Sequence, residues 1–336
     1  MTAPIIIGHR GVPGERLEHT RPSYLLAIEQ GADYIEPDVV STKDGVLVVR
    51  HENEISGTTD VAEHPEFADR KVSKFVDGTP HTGWFTEDFT LEELKTLRVK
   101  ERLPKLRPQN IPLAHREKIL TFDEVLNIAE DASEHRDVPV GVYVETKHPT
   151  YFAGIGHNLN DLLIANLERR RLNRAESKII IQSMETGNLK DLRGRTPLML
   201  IQLMDRQGAP FDLVAARDPR TYRSLTSRIE LEKIAAYADG IGPNKSQVIK
   251  RDADYRLAGQ TSLVRRAHDS GLLVHIWTMR NENNFLPTEL RKGTNTADHG
   301  DALAEYLAFF DAGVDGVFSD FTSTAVQARS QWLQSH

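Results

Sequence analysis

Residues 4–23, PIIIGHRGVPGERLEHTRPS, decide how the rest of the chain is read. Pro4 to Ile7 form a short apolar run, the mark of a strand covered on both faces, and Gly8 signals a tight approach of backbone at its end. The run stops at His9 and Arg10, two groups suited to protons and phosphates, which places them at the carboxyl end of a buried strand. Thr20 then stands where a helix cap belongs, with Pro22 in the first turn.

Strand followed by helix recurs along the chain. The β-rich runs DYIEPDVV and VLVV come next, then PVGVYVE, KIIIQS, PLMLIQ, DGIGP, LLVHIWTM and VDGVFSD, with periodic segments such as SYLLAIEQ, FDEVLNIAEDA and LAEYLAFFDA between most of them. Such alternation implies parallel strands joined by right-handed crossovers. With VLVV as the return arm of a hairpin at TKDG, eight runs remain. Eight suit a closed (β/α)8 TIM barrel, whose chemistry gathers at the carboxyl ends of its strands; an open doubly wound sheet is the alternative. Thr90 with Glu93, and Thr121 with Glu124, have capping-box spacing and mark two further helix starts. Residues 53–120 break the rhythm: they are polar, rich in glycine, proline and charge, and hold one clear helix at TLEELKTLR. They read as an insertion on the catalytic face, a cap that selects the alcohol half of the substrate, within one domain spanning 1–336.

The bulk numbers narrow the function. A net charge of −7 and a pI near 6.0 disfavour a nucleic-acid surface, which needs excess cations. The one basic run, Arg169 to Arg171 with Arg174, ends a helical stretch, where cations suit the helix dipole. Cysteine is absent, which excludes disulfides, thiolate chemistry and sulfur-based zinc sites, so any metal is held by oxygen or imidazole. No apolar span of ~20 residues appears, so membrane insertion is not expected. Without a charged and apolar leader ahead of the first strand, the sequence as written implies a cytoplasmic protein, or a periplasmic or secreted one once a leader has been removed.

Glu36 and Asp38 lie two apart in DYIEPDVV, so on a strand both carboxylates share one face. Either arginines on the sheet surface pair with them or a cation does, because burying both ionised and alone costs several kcal/mol. Pro37 between them removes a ladder donor and weakens a central-strand reading. Glu145 and Lys147 in GVYVETKHP repeat the spacing. A third carboxylate completes an oxygen-rich site suited to Mg²⁺ or Ca²⁺, and the lysine can meet an anion. His51, after VLVVR, holds the same terminal position as His9, and two imidazoles beside three carboxylates favour proton transfer. His275 reads as a core or barrel position, and His64, His81 and His115 as loop residues. Gln182 and Trp277 close their strands as core residues or as walls of a substrate site. No P-loop, Rossmann or serine-hydrolase pattern is present.

The ordered set HRG, EHT, IEPDV, TKDGVLVVRHE and ETK resembles the glycerophosphodiester phosphodiesterase family, above all its longer bacterial type; QSM, HIWTMRNE and VDGVFSD fit less specifically. The resemblance is strong over roughly the first fifty residues and returns at Glu145 and Lys147. It implies a TIM barrel with a small helical insertion after the second barrel strand, and metal-dependent cleavage of small soluble glycerophosphodiesters to glycerol 3-phosphate and an alcohol. By matching motif it makes His9 and His51 the acid/base pair and Arg10 and Lys147 phosphate contacts with catalytic weight. It makes Glu36, Asp38 and Glu145 ligands of one divalent cation, Ca²⁺ or Mg²⁺, and Gln182 and Trp277 substrate-pocket positions. Two features depart from the common pattern: His19 stands where many relatives have asparagine, as in the longer bacterial type, and His148 after the lysine falls outside the motif. A lipid phosphodiesterase of the lysophospholipase D kind would use the same centre but needs an apolar groove, and a non-catalytic binding barrel would carry a broken set of groups.

Overall fold

All eight expected runs form parallel strands, and the sheet closes on itself. The computed structural model describes residues 3–134 and 136–336. In chain order the first strands are β1 (Ile5–His9), β2 (Tyr34–Glu36), β3 (Asp38–Ser41) and β4 (Leu47–Val49). A hairpin follows, β5 (Val72–Val76) and β6 (Thr79–Gly83). Next come β7 (Gly141–Thr146), β8 (Ile179–Ser183), β9 (Met199–Met204) and β10 (Gly240–Pro243). A second hairpin, β11 (Ile249–Arg251) and β12 (Leu257–Gln260), precedes β13 (Leu273–Met279) and β14 (Gly316–Ser319). β1 pairs with β14 on one side and β2 on the other, and β2 pairs with β7, which completes the ring. β3 runs on from β2 past Pro37 and also pairs with β7, while β4 returns antiparallel along β3 as the TKDG turn implies. The proline thus divides one barrel strand in two, and its carbonyl still accepts from the Glu145 amide at 2.9 Å.

Period-two alternation sorts each strand between two cores. Ile7, Tyr143, Ile180, Ile201 and Phe318 cluster together at the barrel centre. Neighbours of opposite parity, such as Ile6, Val144, Ile181 and Val317, belong to the larger cluster that includes Tyr24, Leu163 and Phe309 of the surrounding helices. Tyr143 meets Phe318 edge-on at 5.0 Å between ring centroids, and its hydroxyl lies 2.9 Å from His275 Nδ1. His275 is therefore the barrel-core residue expected of it. Gly316 makes room for this ring: a β-carbon there would sit 2.8 Å from His275 Cδ2 and 2.6 Å from Ile5 Cγ1.

Burial holds the His275 pKa down at about 4, against 6.5 for a free imidazole. Between those values the unfolded chain binds the proton that the folded chain refuses, so stability falls as pH is lowered from 6.5 towards 4, by on the order of 3 kcal/mol for this group. Denaturant titrations at pH 6.5 and 4.5 check this: His275→Gln is expected to lose less stability on acidification than the parent. An equal loss would contradict the assignment.

Three local expectations are corrected. The insertion is not purely helical: short helical turns at Val61–Glu63, Pro65–Arg70, Thr86–Asp88 and Pro108–Leu113 are joined by a hairpin. Within residues 53–120 the helix expected at TLEELKTLR shortens to one turn, Leu91–Leu94, with the Thr90–Glu93 capping box intact, and the β5–β6 hairpin is the larger element. Its turn is Asp77-Gly78, with φ of 47° and 75°, the positive pair that suits the twist of a two-residue hairpin. The expected cap at Thr20 also differs: the residue precedes helix Arg21–Glu29, but its hydroxyl donates to the Leu17 carbonyl at 2.7 Å and makes no cap bond. The Thr121–Glu124 capping box starts helix Phe122–Ser133 as read.

Candidate active site

The inward-facing parity that fills the barrel centre turns polar at the carboxyl ends of the strands. Two residues beyond Ile7 stands His9, beyond Tyr143 stands Glu145, beyond Ile180 stands Gln182, and beyond Phe318 stands Asp320. Register brings them level, pairing His9 with Glu36, Asp38 with Glu145, and Glu145 with Gln182 across adjacent strands. His9, Arg10, Glu36, His51, Glu145, Lys147, Gln182 and Trp277 line one cavity of about 290 Å³ there.

The turn after β1 is built for this position. Arg10 adopts φ 55°, and Gly11 follows at φ 89°, where a β-carbon would lie 2.4 Å from Ser23 Oγ. The turn aims the Arg10 amide at Glu36 Oε2, 2.9 Å away, while the guanidinium reaches Glu18 at 3.1 Å and Asp38 at 3.3 Å. His19 bridges behind it, with Nε2 2.9 Å from Asp38 Oδ2 and Nδ1 2.8 Å from the Tyr24 hydroxyl. Glu18 and His19, seen in the sequence only as a motif variant, thus orient Arg10 and Asp38.

Glu36, Asp38 and Glu145 each offer a carboxylate oxygen within 4.8 Å of the others, and all three are buried. Burial and the neighbouring Asp38 and Glu145 push the Glu36 pKa well up. Burial likewise raises Glu145, to about 7, although Lys147 donates to it at 2.9 Å. Asp38, despite burial, is held well below the usual carboxylate range by Arg10, Lys147 and His19. Asp38 Oδ1 and Gln182 Oε1 are buried without a hydrogen-bond partner. Crowded carboxylates and orphaned acceptors form the oxygen-only donor set of a hard divalent cation, so the cluster fits the expected metal.

The two imidazoles have separate supports. His9 Nδ1 lies 2.6 Å from Asp320 Oδ1, so the ring donates from Nδ1 and leaves Nε2 as its basic atom. Asp320 is gripped by Arg280 at 2.8 Å and by buried Arg107, which also binds Glu282 at 2.7 Å. Those arginines hold Asp320 ionised despite its burial. His51 Nδ1 lies 2.7 Å from Glu52, and Lys147 donates to His51 Nε2 at 3.3 Å. Burial, with Arg10 beside both rings, lowers His9 to about 4 and His51, which also faces Lys147, to about 3; both rest neutral. His148, outside the family motif, ties Glu52 to Asp77 of the β5–β6 turn, and that pairing raises its pKa to about 9.

All nine residues singled out in the sequence fall in or beside this cavity, with Asp38 just beneath it. Trp277 stands in the wall, its indole donating to the Gly242 carbonyl at 2.7 Å. Asp320, Arg107 and Arg280 were missed. Asp320 had a usable signal, since it lies two residues past an inward aromatic at a strand end. Arg107 had none. No residue of 53–120 lines the cavity itself; the insertion meets the site's supports through Arg107, through Arg102, which reaches Glu18 at 2.8 Å, and through Asp77, which pairs with His148.

A barrel whose rim gathers imidazoles, cations and clustered carboxylates in one pocket defines an enzyme, and its groups are those of phosphoryl hydrolysis. Sequence comparison gives the family: the glycerophosphoryl diester phosphodiesterase family matches residues 9–324, and the chain belongs to it. A glycerophosphodiester phosphodiesterase of Arabidopsis thaliana is 38% identical over 334 residues, covering 96% of this chain and 84% of the relative. One from Haemophilus influenzae is 26% identical over 349 residues, covering 96% and 89%. An Oleispira antarctica phosphodiesterase, solved in complex with its product sn-glycerol-3-phosphate, shares the fold at a TM-score of 0.59 and 18% identity, covering 98% of this chain and 97% of that one. Among the described residues no helix is long and apolar enough to cross a membrane.

Proposed function

We propose that this enzyme hydrolyses small soluble glycerophosphodiesters to glycerol 3-phosphate and an alcohol. The observation that carries the reading is the convergence of His9, His51, Arg10 and Lys147 on one pocket beside the Glu36–Asp38–Glu145 cluster. Those three carboxylates would hold one divalent cation, Ca²⁺ or Mg²⁺, which when bound supplies positive charge for the phosphate oxygens.

The chain's own residues do the rest. Arg10 and Lys147 hold the phosphodiester and oppose the charge that grows on it as the new bond forms. One of His9 and His51 takes a proton at Nε2 from the attacking oxygen, and the other protonates the departing alkoxide. Besides burial, Arg10 depresses both imidazoles and Lys147 depresses His51; an entering phosphodiester anion offsets those charges and so raises the pKa of the ring that serves as acid. Asp320 and Glu52 keep the rings in the Nδ1-protonated form, which makes Nε2 the atom that transfers the proton: that of His9 is unpartnered, and that of His51 accepts from Lys147 until substrate draws the lysine away. Gln182, donating to Glu36 at 3.2 Å, and Trp277 shape the substrate wall.

The test is release of glycerol 3-phosphate from diesters of choline, ethanolamine and glycerol, with chelator and after restoring each metal. Metal-dependent release is expected, and a metal-loaded protein inert toward all three would refute the reading.

A further inference from the structure

The catalytic pocket shares Trp277, Thr278 and Arg280 with a neighbouring second cleft of about 850 Å³. This cleft lies over the carboxyl ends of β9, β10 and β13 and is lined by no residue of the insertion. Its charge is opposite to that of the whole protein: seven Arg and Lys side chains line it and no Asp or Glu does, in a chain of net charge −7.

Three of the seven cations are already engaged. Lys245 and Arg251 share buried Glu305 at 2.9 and 2.6 Å, and Arg280 holds Asp320. Even so, Nη1 of Arg251, on a side chain only 9% exposed, is buried without a hydrogen-bond partner. The other four, Arg206, Arg223, Lys250 and Arg266, have no carboxylate within 4.0 Å among the described residues. Arg266 spends its guanidinium on the Ser262 hydroxyl and the Thr226 carbonyl, contacts that position it without neutralising it. Arg206, Arg223 and Lys250 are exposed and Arg266 is half-buried, so water screens them in part, but their gathering with Arg251 around one concave site favours an entering anion.

Taken with the proposed activity, on which this step rests, the geometry points to the substrate class: we infer that the alcohol half of the preferred glycerophosphodiester carries a second phosphate, seated in this cleft while the scissile phosphate lies at Arg10 and Lys147. The glycerol half bears no charge and cannot be what the cations serve. A choline or ethanolamine head group is itself cationic and would be repelled. A nucleic acid is disfavoured by the chain's net charge, which is −7 with this cleft's seven cations included.

The experiment compares kcat/KM for two substrates: glycerophosphoglycerol, and the same diester bearing a phosphomonoester on its alcohol glycerol. Both are tested with the parent enzyme and with Arg206→Gln/Lys250→Gln, two positions outside the catalytic pocket's proton-transfer and carboxylate groups. The parent is expected to favour the phosphorylated substrate by about tenfold or more, and the double variant to lose most of that preference while its turnover of the uncharged-alcohol substrate stays within about twofold. Raising the salt concentration should erode the same preference. Equal kcat/KM for the two substrates in the parent, or an equal loss on both in the variant, would overturn the inference while leaving the phosphodiesterase reading standing. Failure of the parent to turn over either diester would overturn that reading and the inference together.

Discussion

Replacing His9 or His51 with alanine is expected to lower kcat on a glycerophosphodiester by about 10²–10⁴-fold, with kcat/KM falling in parallel and little change in KM. The reason is local. Each ring presents Nε2 to the cavity and has its other nitrogen occupied by a carboxylate. Neither ring carries the fold. Removing His9 leaves Asp320 paired with Arg107 and Arg280, so no buried charge is stranded, and His51 has a side chain 28% exposed. Loss of stability should therefore stay near 1 kcal/mol, a typical cost for a point substitution. Steady-state kinetics beside thermal melts checks both halves. Near-normal turnover in His51→Ala would remove it from the acid/base pair, whereas a collapse of the melting temperature in either variant would assign that ring a structural role.

The second large effect concerns the carboxylates. Glu36→Gln and Glu145→Gln are each expected to abolish divalent-metal binding and turnover together. Their stability with chelator present should match the parent's or exceed it. Burial, and then the mutual repulsion of three clustered carboxylates, drive Glu36 and Glu145 up in pKa, and an amide of the same shape removes the cost of a buried charge together with that repulsion. The parent should gain stability when Ca²⁺ or Mg²⁺ is added, by about 2.7 kcal/mol at a hundredfold excess over Kd, and the variants should not. Melting curves with and without metal read this independently of activity. A parent that is not stabilised by either ion, or a variant that still is, would contradict the ligand set.

How much of this was legible depended on where each partner lay in the chain. The barrel could be read because each strand announces itself locally, and PIIIG, KIIIQS and VDGVFSD survive as β1, β8 and β14. His9, Glu36 and Asp38, and Glu145 with Lys147, could be read because period two ties a strand-end residue to the apolar face beneath it. Of the supports, only Asp320 had a local signal, and its partners had none. Arg107 reaches Asp320 across 213 positions, and only closure of the ring, with β14 beside β1, brings that aspartate to His9. The cations of the second cleft are scattered between Arg206 and Arg280 and form no run, so the charge of that cleft exists only in three dimensions. The β5–β6 hairpin was a different miss: its Asp77-Gly78 turn was in plain view, but polar flanks such as Thr79, His81 and Thr82 masked the alternation expected of paired strands.

The central claim, that one pocket joins the imidazole pair to a metal-binding carboxylate cluster in order to cleave a phosphodiester, meets its most direct test in a ³¹P NMR time course. Glycerophosphoglycerol is incubated with parent enzyme stripped by chelator, and Mg²⁺ or Ca²⁺ is then restored. The diester resonance is expected to persist until metal is added and then to give way to a single phosphomonoester resonance, that of glycerol 3-phosphate, with His51→Ala leaving the diester in place over the same period. An unchanged diester after either metal is restored, or its conversion at full rate in the continued presence of chelator, would contradict it.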